Sequence, residues 1–152
     1  MNVTRISLDS WALSLAMTTA SRSTCRRRQV GCVLLNEFGH VMATGYNGPA
    51  RHAPHCGEFG STCELNNPQS GTNLDSCDAI HAEQNALLQC TDVNKIHTCY
   101  VTTSPCVTCL KMLLNTSCQR IVFINEYPHS RAKELWVAAL RTWDKKDPYE
   151  YQ

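Results

Sequence analysis

The sequence has little net charge and no long hydrophobic run. Its 14 Lys and Arg residues nearly balance 13 Asp and Glu, which leaves a formal net charge of +1. So small a charge exerts no long-range attraction on polyanions, and we expect no stable nucleic-acid partner. The longest apolar runs, residues 121–124 and 135–140, are far shorter than the roughly 20 residues that span a bilayer. We therefore expect no membrane association.

What is present indicates a single folded domain. The chain has 152 residues, of which 43% are hydrophobic and 18% charged, a composition that argues against intrinsic disorder. We predict one domain over residues 1–152, with a core at about 8–140 and a polar tail at 144–152.

The start of the chain could be misread as a signal peptide, because Arg5 precedes the apolar stretch 11–17. Asp9 weakens that interpretation. Apolar positions instead repeat at the spacing of one helix face, with Ser7 or Asp9 as the N-cap. The residues of this face are Leu8, Trp11, Ala12, Leu15 and Thr19. We expect a cytoplasmic protein, in the host cytoplasm if the chain is viral.

Strand and helix patterns alternate along the rest of the chain. The predicted elements are a hairpin at 30–46, a helix at 81–90, a strand at 98–103, a helix from Ser104 (N-cap) and Pro105, a strand at 120–125 and a helix at 131–143. This order predicts an α/β layered sheet that is mostly parallel in its second half. Residues 47–77 hold seven of the 13 Gly and Pro residues and show no apolar period, so something other than a hydrophobic core should anchor them.

Two short motifs indicate a catalytic metal site. Cys106 and Cys109 are three residues apart at a predicted helix start, where thiolates are favoured. His81 offers a third ligand, and one His with two Cys leaves a fourth position open on Zn²⁺, as in catalytic zinc sites. Glu83 supplies a base for the water that would occupy that position. Residues i and i+2 diverge on a regular helix, so we expect His81 and Glu83 to share one site only at a helix end.

The pairing of H-x-E with P-C-x-x-C resembles the zinc-dependent nucleobase deaminase superfamily. Within it the chain is most similar to the deoxycytidylate (dCMP) deaminases, through segments 23–31, 45–48, 81–86 and 100–109. The resemblance implies a three-layer α/β/α sandwich with a central five-stranded mixed sheet. It also implies hydrolysis of dCMP to dUMP and ammonia, with Glu83 moving protons between water, the ring nitrogen N3 and the leaving amino group.

The same resemblance suggests substrate contacts. Asn47 matches a position that contacts the deoxyribose. Four arginines at 22, 26, 27 and 28 are enough to bind a phosphate, although a solvated basic loop would also have this composition. The remaining substrate candidates are Ser23, Arg27, Ala82, Ser104 and Tyr127.

The ten cysteines exceed what one zinc needs. By resemblance to bacterial and phage relatives, a second, structural zinc would use Cys25, Cys56, Cys63 and Cys77, with His55 or His52 as alternates. We interpret the other four cysteines, at 32, 90, 99 and 118, as small core residues. Resemblance also implies a homo-hexamer activated by dCTP and inhibited by dTTP, with Mg²⁺ and the triphosphate near Gly48 and Arg51.

Other hypotheses fit the same residues. The zinc chemistry would serve a deaminase of free cytidine, or of cytosine or adenine in a nucleic acid. A non-catalytic zinc-binding module would also use the cysteines and His81, but it has no need of Glu83.

Overall fold

The computed structural model describes residues 3–61, 78–128 and 131–151. The helices are α1 (Leu8–Ala20), α2 (Ala82–Gln89), α3 (Val107–Leu114) and α4 (Arg131–Ala138), with a 3-10 turn at Val93–Lys95. The strands are β1 (Gly31–Leu35), β2 (Val41–Tyr46), β3 (Thr98–Thr103), β4 (Arg120–Asn125) and β5 (Thr142–Lys145). Among the helices that these residues form, none has the length and apolar character needed to cross a membrane.

The five strands form one mixed sheet in the order β2-β1-β3-β4-β5. β1 is antiparallel to both β2 and β3, whereas β3, β4 and β5 run parallel. Side chains alternate across the sheet, so that α1 packs on one face, against Val33, Tyr100 and Val122. Helices α2, α3 and α4 pack on the other face, against Leu34, Val101 and their neighbours. The predicted three-layer fold with a five-stranded mixed sheet is confirmed.

The buried face of α1 differs from the predicted one. Leu8 and Trp11 are partly exposed, whereas Ala12 is buried as predicted, and the buried stripe continues through Ala16 and Ala20. The reason is close packing: a Cβ on Gly31 of β1 would lie 1.9 Å from the Ala16 carbonyl oxygen. Only small residues let the helix backbone approach the strand so closely. Ser7 is the N-cap, and its hydroxyl accepts a hydrogen bond from the Ser10 N–H at 3.1 Å.

Helix α3 begins later than predicted. Its N-cap is Cys106, not Ser104, and the Cys106 carbonyl accepts the first helical hydrogen bond from the Leu110 N–H at 2.9 Å. Ser104 instead continues alongside β4. Its N–H donates to the Asn125 carbonyl at 2.9 Å, and its hydroxyl accepts from the Tyr127 N–H at 2.6 Å.

The last predicted helix is shorter than expected. α4 ends at Ala138, and Leu140 adopts a φ of 61°, which no continuing helix allows. The indole N–H of Trp136 donates to the Thr142 carbonyl at 2.8 Å, which fixes the turn into β5. Residues 144 and 145, expected in a polar tail, complete that strand.

A polar cluster beneath α1 joins that helix to three strands. The Arg120 guanidinium donates to both carboxylate oxygens of Asp9, at 2.7 and 2.8 Å, and to Asp144 at 2.9 Å. The Tyr100 hydroxyl also donates to Asp9, at 2.7 Å. The hydrogen bond from Arg120 lowers the pKa of Asp9 below its ordinary value, against the opposing effect of burial.

Candidate active site

Two helix N-termini meet on the face of the sheet that α2, α3 and α4 cover. His81 is the N-cap residue of α2, and Cys106 is the N-cap residue of α3. The backbone N–H of His81 donates to the Gln84 side chain at 2.9 Å, which fixes the first turn of α2. The positive ends of both helix dipoles therefore point toward one place, where they favour anionic ligands such as thiolates.

The three predicted catalytic-zinc ligands form one cluster. The His81 Nδ1 atom lies 3.5 Å from Cys106 Sγ and 3.3 Å from Cys109 Sγ. All three ligand atoms lie within 4.8 Å of one another. Within the part of the chain that the structure describes, no other group of three His, Cys, Asp or Glu residues is arranged this way.

The dimensions of the cluster fit Zn²⁺. Tetrahedral zinc with Zn–S bonds of about 2.3 Å and Zn–N bonds of about 2.0 Å separates a sulfur from a nitrogen ligand by about 3.5 Å. The two N–S distances here, 3.5 and 3.3 Å, agree with that value. Two soft sulfurs and one imidazole are also the donor set that zinc prefers. Zinc is therefore the metal that this site fits, with one coordination position left for a small ligand.

The electrostatics of the cluster favour one thiolate, on Cys106. A hydrogen bond from the Cys109 thiol lowers the pKa of Cys106 to about 4, and the nearby His81 contributes in the same direction. The hydrogen bond with Cys106 in turn raises the pKa of His81 above its ordinary value. Cys109 keeps its proton, because a thiol beside an existing thiolate is harder to ionise. A bound divalent cation would offset that repulsion.

Glu83 lies directly beside the ligand cluster. It is the second residue of α2, is 4% exposed, and interacts with the Cys109 thiol. Burial raises the pKa of its carboxyl to about 7. As expected for residues that would serve one site, both lie at the helix end: His81 caps α2 and Glu83 lies in its first turn.

A pocket opens over this cluster. Asn47, Arg27, Ala82, Ser104 and Tyr127, all predicted substrate contacts, line it. Cys25 and Arg28 also line it; the sequence indicated Cys25 as a ligand of the second zinc and Arg28 as one of the four candidate phosphate-binding arginines. The sequence motifs did not single out Val30, Ala79 and Thr103, which complete the wall. Thr103 could have been suspected, because it ends the strand that leads into α3. Ser23, the remaining predicted substrate contact, is buried and does not line the pocket; its hydroxyl accepts from the Cys25 N–H at 3.2 Å.

Of the four clustered arginines, Arg27 and Arg28 line the pocket. The Arg28 guanidinium carbon lies 5.6 Å from the centre of the Tyr127 ring, a distance typical of a cation–π contact. Arg22 instead lies 5.8 Å from the Tyr46 ring. The structure thereby separates arginines that the sequence alone could not rank.

The residues proposed for a second zinc are only partly described. The side chains of Thr24 and His55 are 2.8 Å apart, from Thr24 Oγ1 to His55 Nδ1, which holds the segment of Cys25 against the segment of Cys56. His52 is exposed. Cys63 and Cys77 lie outside the described residues. The four cysteines predicted to be core residues do pack there: those at 32, 99 and 118 are buried, and Cys90 packs against the core.

Of the two predicted effector residues, Gly48 lies next to the segment that carries His81. Gly48 forms a two-way backbone bridge with Ile80, with N···O distances of 3.1 and 2.7 Å, and Ile80 directly precedes His81. Arg51 is exposed to solvent.

A family model and curated relatives identify the family to which the chain belongs. Residues 6–125 match the family model of the cytidine and deoxycytidylate deaminase zinc-binding region. The chain is 41% identical over 125 residues to deoxycytidylate deaminase of Saccharomyces cerevisiae, covering 81% of this chain and 39% of that protein. It is 36% identical over 126 residues to deoxycytidylate deaminase of Mycobacterium phage D29, covering 78% and 94% respectively. The chain thus spans about two fifths of the yeast relative and nearly all of the phage relative.

A solved structure has the same fold. It is the dCMP deaminase of the cyanophage S-TIM5 in complex with dCMP and dUMP, which aligns with a TM-score of 0.71 at 24% identity. The alignment covers 88% of this chain and 93% of that one.

Proposed function

We propose that this chain, which belongs to the cytidine and deoxycytidylate deaminase family, hydrolyses dCMP to dUMP and ammonia. The observation that carries the proposal is a His-Cys-Cys cluster of zinc dimensions beside a buried carboxyl, in a pocket that two arginines also line. Each part has a counterpart in the substrate: a cytosine to be attacked and a 5′-phosphate to be bound. The product, dUMP, would be a precursor for thymidylate synthesis.

The metal ligands and Glu83 would have different roles in the reaction. Zinc bound by His81, Cys106 and Cys109 would lower the pKa of a water toward neutrality and so supply the nucleophile. Glu83 would accept a proton from that water and deliver it to N3 of the cytosine. After attack at C4, the same carboxyl would take the second proton from the hydroxyl now on C4 and pass it to the amino group, which leaves as ammonia, so that one water enters and one ammonia leaves.

The substrate would be bound by the pocket residues around the His-Cys-Cys cluster. Arg27 and Arg28 would hold the phosphate dianion with charge-assisted hydrogen bonds, and Tyr127 would keep the Arg28 guanidinium in place. We assign the base and sugar contacts to Ala82, Ser104 and Asn47, with Ser23 supporting the arginine loop.

The test is to incubate zinc-loaded protein with dCMP, CMP, deoxycytidine and a cytosine-containing single-stranded DNA, and to measure ammonia release. We expect the highest kcat/KM for dCMP, and a clear loss for deoxycytidine because it lacks the phosphate. Equal rates on dCMP and deoxycytidine would favour a deaminase of free cytidine. Release from DNA alone would favour a nucleic-acid deaminase, and no turnover of any substrate would favour a structural zinc module.

A second, structural zinc is also part of the proposal. It would use Cys25, Cys56, Cys63 and Cys77, with His55 or His52 as alternates. The contact between Thr24 and His55 supports it, because that contact holds two of the ligand-bearing segments together. Elemental analysis should give two zinc ions per wild-type chain and one per Cys56→Ser chain. One zinc in fully active wild type would rule the second site out.

We also propose regulation by deoxynucleoside triphosphates in a homo-hexamer, with dCTP activating, dTTP inhibiting and Mg²⁺ accompanying the triphosphate. The Gly48–Ile80 bridge supports this, since a ligand held at Gly48 and Arg51 would act one residue from His81. Such coupling typically amounts to about 1–3 kcal/mol, or roughly 5- to 150-fold in affinity. Titration of each triphosphate into the dCMP assay, together with light scattering, tests both parts. Kinetics unchanged by either nucleotide, or a monomer in solution, would contradict them.

A further inference from the structure

Asn47 lies in the pocket wall between the two arginines and the His-Cys-Cys cluster. Its backbone N–H donates to the Val30 carbonyl at 3.2 Å, which extends the β1–β2 ladder by one residue beyond the Gly31–Tyr46 pair. In a regular ladder the Val30 N–H would then bond the Asn47 carbonyl. Here it donates instead to the Asn47 side-chain oxygen Oδ1, at 2.9 Å. The side chain has replaced the main chain as the ladder partner.

Because the side chain takes this hydrogen bond, the main chain can leave the β1–β2 ladder and turn toward the segment that carries His81. The next residue, Gly48, pairs with Ile80, which directly precedes His81. The side chain meanwhile holds the arginine segment. Besides accepting from Val30, its Nδ2 donates to the Arg28 carbonyl at 2.8 Å. Asn47 is thus linked in two directions. Its backbone leads to Gly48 and so to Ile80 and His81, and its carboxamide binds the segment that carries Arg28.

We propose that Asn47 is a positioning residue that acts through the backbone of Arg28 and Val30 to place Arg27 and Arg28 over the metal site. The carboxamide is suited to this, since one planar group supplies both the acceptor and the donor. This inference rests on the proposed function, in which the two arginines bind the 5′-phosphate. It makes Asn47 a determinant of selectivity for the monophosphate, in addition to any contact it makes with the sugar.

The test separates these two roles by comparing two substrates. Asn47→Ala removes both side-chain bonds to the arginine segment, and kcat and KM are measured for dCMP and deoxycytidine. If Asn47 positions the arginines, kcat/KM should fall roughly tenfold further for dCMP than for deoxycytidine, mainly through KM, because a charge-assisted contact is misplaced. Loss by the same factor for both substrates would mean a sugar contact only and would overturn the proposal.

Asn36 offers a matched control at the other end of the same hairpin. Its Oδ1 accepts from the Phe38 and His40 N–H groups, both at 3.0 Å, so Asn36→Ala also removes two side-chain-to-backbone bonds. It should destabilise the hairpin without changing the ratio of the two kcat/KM values. A similar change of the ratio in this variant would show that any weakening of the hairpin has the effect, and would overturn the specific role of Asn47.

A second readout does not depend on turnover. Hydrogen exchange of the Val30 amide should be faster in Asn47→Ala than in wild type or Asn36→Ala, and equal exchange in all three would overturn the proposal. If wild type fails to deaminate dCMP, the proposed function fails, while Val30 exchange still reports whether Asn47 holds the segment. Should Asn47→Ala not fold, Asn47→Ser replaces it, because a serine hydroxyl is too short to reach the Arg28 carbonyl.

Discussion

Gly45 of β2 is where the fold and the active site depend on each other most directly. A Cβ at this position would lie 2.3 Å from the Ala82 carbonyl oxygen and 2.4 Å from the Ala86 N atom. Both are backbone atoms of α2, so no side-chain rotation relieves the clash. Since ordinary contacts begin near 3.4 Å, we expect Gly45→Ala to separate α2 from β2 by about 1 Å.

This displacement would move the start of α2, where His81 and Glu83 lie. A misplacement of about 1 Å can lower catalysis on the order of 100-fold, and overpacking typically destabilises a protein by about 1–3 kcal/mol. We therefore expect Gly45→Ala to lower both kcat/KM for dCMP and the free energy of unfolding. The assays are steady-state deamination under native conditions and urea denaturation.

Gly31 provides the comparison. Its Cβ would meet backbone atoms of α1, on the opposite face of the sheet, at 1.9 and 2.6 Å. Gly31→Ala should destabilise at least as strongly as Gly45→Ala while folded protein retains most of its activity. A Cβ added at Gly48 would meet no atom within 4 Å, so Gly48→Ala should keep the stability of wild type. Near-normal activity in Gly45→Ala, or equal inactivation by Gly31→Ala, would refute this reasoning.

Three further predictions concern binding, metal and pH. Arg27→Ala should raise KM for dCMP roughly 10- to 150-fold, the equivalent of one charge-assisted hydrogen bond, and leave deoxycytidine kinetics unchanged; equal effects on both substrates would contradict a phosphate contact. A chelator should abolish turnover and added Zn²⁺ should restore it, whereas Cys109→Ser should resist rescue at the same zinc concentration; activity that survives complete zinc removal would exclude the proposed site. Because Arg120 lowers the pKa of Asp9, the ion pair stabilises the fold above the unfolded pKa of about 3.9, and this contribution is lost as pH falls through the lower folded value. Urea midpoints measured down the acid range should therefore fall less steeply for Asp9→Asn than for wild type, and parallel curves would contradict the assignment.

Strands β3 and β4 were the most predictable parts of the fold, whereas no sequence pattern predicted β5. The β-branched and aromatic runs at Thr98–Thr103 and Arg120–Asn125 match β3 and β4 over their full lengths. Such runs are distinctive because buried parallel strands are apolar on both faces. The apolar period of α1 was misleading, since the helix is held by small residues against Gly31 while larger side chains on its flank stay partly exposed.

The boundaries that failed depend on tertiary contacts. Ser104 and Pro105 have the composition of a helix start, but the Ser104 hydroxyl is engaged by the Tyr127 N–H, and the cap falls on Cys106. The end of α4 depends on the left-handed turn at Leu140 and on the bond from Trp136 to Thr142, neither of which has a local sequence pattern.

The candidate site divides in the same way. His81, Glu83, Cys106 and Cys109 could be predicted because zinc chemistry restricts both residue types and spacing. The sequence could not predict which of the four arginines line the pocket, because all four lie close together in one short segment. Which of them face the pocket depends on how the Asn47 side chain holds residues 28 and 30, and that contact joins positions 17 and 19 residues apart.

The most direct test of the account is dCMP turnover by wild type and by Glu83→Gln, each with its zinc content measured on the same preparation. Glutamine has nearly the shape of glutamate but accepts no proton, and Glu83 is not one of the three clustered ligands. Wild type should convert dCMP to dUMP and ammonia. Glu83→Gln should bind as much zinc as wild type while losing activity by about 100-fold or more. A variant that deaminates dCMP at close to the wild-type rate, or that loses its zinc, would contradict the role assigned to this carboxyl.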